Sequence, residues 1–474
     1  MISDSLVFSP AWQLREWIGS RQLSPVELMK QYLQRIDAIN PKLNAFLTIN
    51  AESALLEARR AEEAVFTQEV LGPLHGIPVP IKDLTKTAGI RTTLGSLLFR
   101  DNFPTDDEPV VERIRSAGAI IVGKTNTPEF GHLGTTENLL GAPCRNPWNT
   151  TLTSGGSSGG AAAAVAAGLA PVAQGSDAGG SIRIPASFCG VYGIKPTQGR
   201  VPRPYQTPGG WGIFSQNGPL SRTVRDAALL LQVMAGAHAE DPTCIQEQPP
   251  NFQTVLGTSL QGLKIAMSLS PGGSPVEEEI RAAVKRTANI FESLGAHVEQ
   301  ADIELNPDLA RETYKTISFS DMSASYGHFL DTPQAESLMP SMRERLEEAK
   351  GWPSAYLSKA LRELERHRAN FRNLFRKVDL LLLPTTAVTA FPVEEWPGII
   401  DGTPVSPLWA FTPFCYLFNM TGQPAANIPS GFSRDGLPIG VQIVGRWAEE
   451  TTVFKASAAL ESAQPWAQHR PNII

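Results

Sequence analysis

The chain lacks the marks of a polyanion binder, a secreted protein or a metalloprotein. Its 474 residues carry 41 Lys and Arg against 47 Asp and Glu, a formal net charge of -6. There is thus no basic footprint for nucleic acid or an acidic membrane, and neither is expected as a partner. Only four cysteines occur, Cys144, Cys189, Cys244 and Cys415, with no CxxC and no paired spacing. That pattern argues against a disulfide framework or a thiolate metal site and leaves reduced thiols packed as small hydrophobes. The seven histidines join no cluster with metal-ligand spacing, so no metal is expected. Residues 1–50 hold charges at regular intervals (Asp4, Arg15, Glu16, Arg21) and no apolar run long enough for a signal peptide or a membrane span. The expected location is the cytoplasm. No internal repeat is present, and a chain that is 42% hydrophobic and 19% charged can bury a large core.

What the chain does have is a concentration of glycine and serine at 153–185. Gly155, Gly156, Gly159 and Gly160 surround Ser157 and Ser158, and Gly179 and Gly180 precede Ser181. Glycine at this density lets the backbone turn sharply and approach another group, at an entropic cost that a plain connector would not need. Residues 161–167, nearly all Ala and Val, predict a tightly packed helix whose N–H groups face the first serine pair. Residues 171–174 predict a short buried strand that delivers 176–181 to a turn. A Gly/Ser linker would not continue into an apolar helix and strand. A Walker loop needs Gly-Lys-Ser/Thr, and no lysine lies between Arg145 and Lys195. The G-x-S-x-G pattern at 155–159 fits a nucleophile elbow, which requires a downstream acid and histidine. None of His238, His297, His328, His367 and His469 sits in a strand-end frame of glycine or apolar residues.

Around this stretch, strands and helices alternate and indicate an α/β architecture. A capping-box form at Ser24-Pro25-Val26-Glu27 predicts a helix start. A strand is expected over 44–49, and an amphipathic helix over 51–66. Residues 72–83, GPLHGIPVPIKD, hold a β-branched apolar run ended by Lys82, for which the simplest reading on pattern alone is an ordinary surface lysine. A helix over 109–117 leads to a buried strand at 119–126, and 263–303 reads as a βαβ unit. Residues 306–377 shift to charged helix formers, a helical excursion expected to cap one edge of the core. Residues 379–384 and 438–445 are too apolar for exposed edge strands.

Three motifs in order, GIPVPIKD at 76–83, GGSSGG at 155–160 and DAGGSIRIP at 177–185, resemble the amidase signature family. CGVYGIKP at 189–196 and LPIGVQ at 437–442 extend the resemblance over essentially the whole chain. It implies one α/β domain spanning 1–474: a single large mixed, twisted sheet covered by helices on both faces. It further implies amide hydrolysis by a Ser-Ser-Lys triad through an acyl-enzyme, with no cofactor. Residue by residue, Lys82 would be the base, Ser157 the bridging serine on a cis peptide bond, and Ser181 the nucleophile. The N–H groups of Ala178, Gly179, Gly180 and Ser181 would form the oxyanion hole. Gly156, Ser158, Asp177 and Arg183 would support the turn, the last two by ion pairing or backbone hydrogen bonds. A lysine can act as base only when neutral, and bringing its pKa from about 10.4 to 7 or 8 requires roughly 3–5 kcal/mol of destabilisation of the ammonium.

The substrate expected is an uncharged, rather apolar amide such as an anilide, or a carbamate or ester. Phe130, Trp211 and Phe214 are the expected pocket residues, and the aromatic stretch 409–418 carries no charge. Core packing explains such aromatics equally well. The other function compatible with these motifs is the glutamine-hydrolysing subunit of an aminoacyl-tRNA amidotransferase, which works in a larger complex. It would need fixed charges against the ammonium and carboxylate of glutamine, and no such arginine-bearing pattern stands out between 306 and 377. A free-standing amidase, monomeric or homodimeric, is therefore expected.

Overall fold

Eleven strands lie side by side in one mixed sheet in the computed structural model, which describes residues 4–204, 212–301 and 303–473. In chain order the strands are β1 (Phe46–Ile49), β2 (Pro78–Lys82), β3 (Ile120–Thr125), β4 (Val172–Asp177), β5 (Tyr192–Lys195), β6 (Gln216–Ser221), β7 (Lys264–Met267), β8 (His297–Gln300) and β9 (Leu380–Pro384). A small separate hairpin, β10 (Ile399–Ile400) and β11 (Thr403–Pro404), follows. β12 (Ala425–Phe432) and β13 (Pro438–Gly445) complete the main sheet. The spatial order is β1-β3-β2-β4-β6-β5-β12-β13-β9-β7-β8. β3, β2 and β4 run parallel at one end, as do β9, β7 and β8 at the other, with antiparallel pairs between them. Helices flank the sheet, and strands such as LLLLP in β9 are buried along their whole length.

Local chemistry explains many of the boundaries. Ser24 accepts from the N–H groups of Val26 and Glu27 at 3.0 and 3.1 Å and starts the helix Pro25–Leu43, with proline in the first turn. The helix Gly159–Ala166 is wholly buried, and its small residues are a packing requirement. A side chain at Gly160 would collide with the backbone of Asn126 and Ala45. The excursion consists of the helices Pro307–Tyr326, Pro340–Ala349 and Ser354–Phe375. All four cysteines are buried as free thiols. Among the described residues, no helix is long and apolar enough to cross a membrane.

Three strands of the main sheet go unpredicted by the sequence pattern, as does the small β10–β11 hairpin. β6, QNGPLS, sits centrally between β4 and β5 although it is polar and contains Pro219. Gly218 explains its tolerance there, since a side chain at that point would strike the carbonyl of Ile194 on β5. β5 and β12 are hidden because each is embedded in a Gly- or Pro-rich stretch.

Candidate active site

Three backbone segments deliver the triad candidates to one corner. β2 and β4 are parallel neighbours, paired at Ile81 and Gln174, so Lys82 and the turn after Asp177 emerge at the same edge of the sheet. The loop before the helix Gly159–Ala166 brings Ser157 between them. Lys82 is fully buried, and its Nζ donates to Ser157 Oγ at 2.7 Å and to the Ser176 carbonyl at 3.1 Å. Burial pulls the ammonium pKa down to about 7 against the opposing pull of Asp177. The Gly156–Ser157 peptide bond is cis, and a side chain at Gly156 would run into the backbone of Thr135. Ser158 Oγ donates to the Ser176 carbonyl at 3.1 Å and accepts from the Ser176 N–H at 3.3 Å, tying the serine loop to β4. The Ser158 N–H donates to the Ser181 carbonyl at 3.0 Å. Ser181 is 9% exposed and lines a cleft.

Asp177 and Arg183 form the frame of the turn. Arg183 is fully buried and uses all five donors: Nε and Nη2 to the two Asp177 oxygens at 2.9 Å each, Nη2 also to Asn419 Oδ1 at 2.7 Å, and Nη1 to the Cys415 carbonyl at 2.9 Å and Gln442 Oε1 at 2.6 Å. Burial alone would raise the Asp177 carboxyl, but the Arg183 guanidinium holds it well below the usual carboxylate range. The same carboxylate accepts from the N–H groups of Gly180 at 2.7 Å and Ile182 at 3.1 Å. This corrects the expected oxyanion set: the Gly180 N–H is already committed to Asp177. The N–H groups of Ala178, Gly179 and Ser181 have no hydrogen-bonding partner among the described residues. Gly180 has φ of +126°, in the region that favours glycine.

The cleft is narrow, about 500 Å³ with its open mouth included, and its lining includes Leu133, Tyr314, Arg345, Trp409, Thr412 and Tyr416. The expected pocket aromatics lie elsewhere. Phe130 is buried and stacks on Tyr326 with ring centroids 3.8 Å apart. Phe214 stacks behind Tyr314 at 5.4 Å. Neither lines the cleft: Phe214 backs its wall through Tyr314, and Phe130 packs between Phe99 and Tyr326; Trp211 lies outside the described residues. Within 409–418, Trp409, Thr412 and Tyr416 face the cleft, whereas Phe411, Phe414 and Phe418 pack in the core. Tyr314 reaches over the turn and donates from its hydroxyl to the Ala178 carbonyl at 3.2 Å. Any side chain at Gly179 would meet that hydroxyl.

Arg345 overturns the expectation of charge-free surroundings. It lines the cleft at 7% exposure from the helix Pro340–Ala349, inside the excursion, with its guanidinium 5.1 Å from the Phe319 ring and 5.9 Å from that of Trp409. The helix is pinned at its start: the Met339 N–H donates to Glu129 at 2.8 Å, and His132 Nε2 bonds Ser341 Oγ at 2.8 Å. A sequence signal for Arg345 does exist. The buried residues of this helix are Met342, Arg345, Leu346 and Ala349, so the arginine occupies the apolar face at i, i+3, i+4, i+7 spacing.

Comparison with known proteins follows the same outline. The profile of the family described as Amidase matches residues 27–454. An acylamidase from Rhodococcus erythropolis is 35% identical, over 99% of this chain and 98% of the relative. A glutamyl-tRNA(Gln) amidotransferase subunit from Carboxydothermus hydrogenoformans is 36% identical, over 99% of this chain and 100% of the relative. Among solved structures, a bacterial aryl acylamidase of the amidase signature family superposes with a TM-score of 0.92 at 32% identity, covering 97% of each chain. A 6-aminohexanoate cyclic dimer hydrolase complexed with substrate gives 0.88 at 30% identity, covering 98% of this chain and 99% of that one.

Proposed function

We propose that this chain, which belongs to the amidase signature family and is a hydrolase of amide C–N bonds, works through Ser181 as nucleophile, Ser157 as relay and Lys82 as base. The observation that carries this reading is the 2.7 Å bond from a fully buried Lys82 to Ser157, whose neighbour Ser158 donates from its N–H to the carbonyl of the cleft-facing Ser181 at 3.0 Å. Neutral Lys82 takes the Ser157 proton as Ser157 takes that of Ser181, and Ser181 Oγ attacks the carbonyl carbon. The oxyanion is met by the uncommitted N–H groups of Ala178, Gly179 and Ser181. On collapse the proton returns from Lys82 through Ser157 to the leaving amine. Water then releases the acid by the same route, needing neither metal nor cofactor. Asp177 and Arg183 position the turn and Ser158 the serine loop, without entering the chemistry.

Tyr314, Trp409 and Tyr416 suit an aryl or otherwise apolar group, so the substrate class is amides of the anilide kind, with carbamates and esters as related acyl donors. One observation favours the alternative of glutamine hydrolysis, namely Arg345 as partner for a carboxylate. A zwitterion needs its ammonium matched too. Among the described residues the cleft lining holds no Asp or Glu, and residues 205–211, YQTPGGW, contain none. The test is kcat/KM of the purified chain, alone, for an aryl amide against glutamine. Preference for the aryl amide is expected; preference for glutamine, or activity only with added partner subunits, would transfer the assignment to the amidotransferase function.

A further inference from the structure

We infer that the cleft is built for amides carrying one anionic group, a carboxylate set apart from the scissile carbonyl, and no cation. The inference rests on the hydrolase reading above and narrows its substrate class. Arg345 is more than nine-tenths buried and lines the cleft, yet it makes no hydrogen bond or ion pair among the described residues. Its near neighbours are the rings of Phe319 and Trp409. Rings satisfy the face of a guanidinium and leave the in-plane N–H groups, the fork that matches a carboxylate, without acceptors. A buried cation of this kind is costly unless something completes it.

The protein's own anions are committed elsewhere. Glu348, one turn along the same helix, pairs with Lys315. Glu129 accepts from Ser96 Oγ at 2.6 Å and from Met339 N–H at 2.8 Å. His132, also in the lining, is bonded at both ring nitrogens, to the Glu129 carbonyl at 2.6 Å and Ser341 at 2.8 Å, and burial keeps it neutral. The lining thus presents a single fixed positive charge amid aromatic surface. A monoanionic amide completes it; a zwitterion or a cationic amide leaves an ammonium with no partner.

Two matched substrate sets test this, one for each side of the scissile bond. On the acyl side are the 4-nitroanilides of glutarate (free carboxylate), pentanoate (neutral) and 5-aminopentanoate (cationic). On the amine side are 4-acetamidobenzoate and the neutral 4-acetamidobenzamide. A charge-assisted contact of this type predicts kcat/KM about 10- to 100-fold higher for the anion than for its neutral match in one set, with the cationic anilide poorest. In Arg345→Met that ratio falls to about one, and in Arg345→Lys, which keeps the charge without the fork, it stays between the two. Thermal unfolding checks that each variant is folded, and Arg345→Lys carries the comparison should Arg345→Met not fold. No anionic preference in either set, or a preference that survives Arg345→Met, overturns the inference. Neutral-anilide hydrolysis that persists in Ser181→Ala would instead overturn the underlying mechanism, so the two failures are distinguishable.

Discussion

Lys82 and Lys124 sit on adjacent parallel strands, paired through Ile81 with Lys124 and Lys82 with Thr125, and both are fully buried. Burial lowers both pKa values, to about 7 for Lys82 and about 8 for Lys124. Their surroundings differ in kind. Lys124 Nζ donates to the Thr85 carbonyl and to the hydroxyls of Thr87 at 2.8 Å and Thr92 at 2.9 Å, three acceptors for three protons, with Asp83 favouring the charged form. Lys82 has two acceptors, one of which, the Ser157 hydroxyl, donates to no other group among the described residues and can give its proton back, whereas the Thr87 and Thr92 hydroxyls donate theirs to the Thr85 and Ile90 carbonyls at 3.1 and 3.0 Å. Desolvation therefore does not by itself make a base. A filled donor set stabilises an ammonium, and an exchangeable hydroxyl partner gives the neutral amine something to do.

The sharpest way to break this contrast is at the nucleophile end. Ser181→Ala should lower kcat/KM by about 10⁴-fold or more, and Lys82→Ala combined with Ser157→Ala should cost far less than the product of the single losses, because the three act as one unit. Steady-state assays with an aryl amide decide it; near-normal turnover in Ser181→Ala would falsify the mechanism. At the other lysine, Lys124→Met should be a folding variant. It leaves the Thr85 carbonyl and the Thr87 and Thr92 hydroxyls without their buried donor and removes the nearby charge that favours ionised Asp83, and is expected to cost about 3 kcal/mol, read as a drop in denaturation midpoint, with turnover per folded molecule retained. A variant of full stability and no activity would erase the distinction between the two lysines. The smallest expected effect is in pH. Lys82 must be neutral, so below about 7 the protonated form dominates and kcat/KM should fall about tenfold per pH unit, levelling above that value. His132→Asn should leave this step in place, and its disappearance would assign the titration to the histidine.

The contrast also shows what the sequence could carry. The choice of Lys82, and of Ser157 over Ser158, came from the family resemblance, but the glycine-framed turns at Ser157 and Ser181 were legible, because a sharp turn and a close approach write themselves in glycine. The burial of Lys82 was not, since a lysine after PVPI reads equally well as a solvated strand end. Helices with regular apolar faces, such as Ala51–Phe66, come through to the residue. β6 does not, because its place in the sheet depends on β5 accommodating Gly218 and on no periodicity of its own. Arg345 was hidden among the charges of MRERLEEAK, where only its phase relative to Met342 and Leu346 separates it from its solvated neighbours. The commitment of the Gly180 N–H to Asp177 is a matter of ångströms that no spacing rule encodes.

The hydroxyl of Tyr314 above Gly179 gives the molecule a division of labour. Lys82, Ser157 and Ser181 come from about a hundred consecutive residues on the sheet, whereas Tyr314 and Arg345 come from helices added far downstream. The two parts meet at one tight point, where the absence of a side chain on the turn makes room for a phenol from the helix. A relative that replaces the tyrosine is free to replace the glycine, and one that keeps the tyrosine is not, so the glycine should change only where the tyrosine has changed.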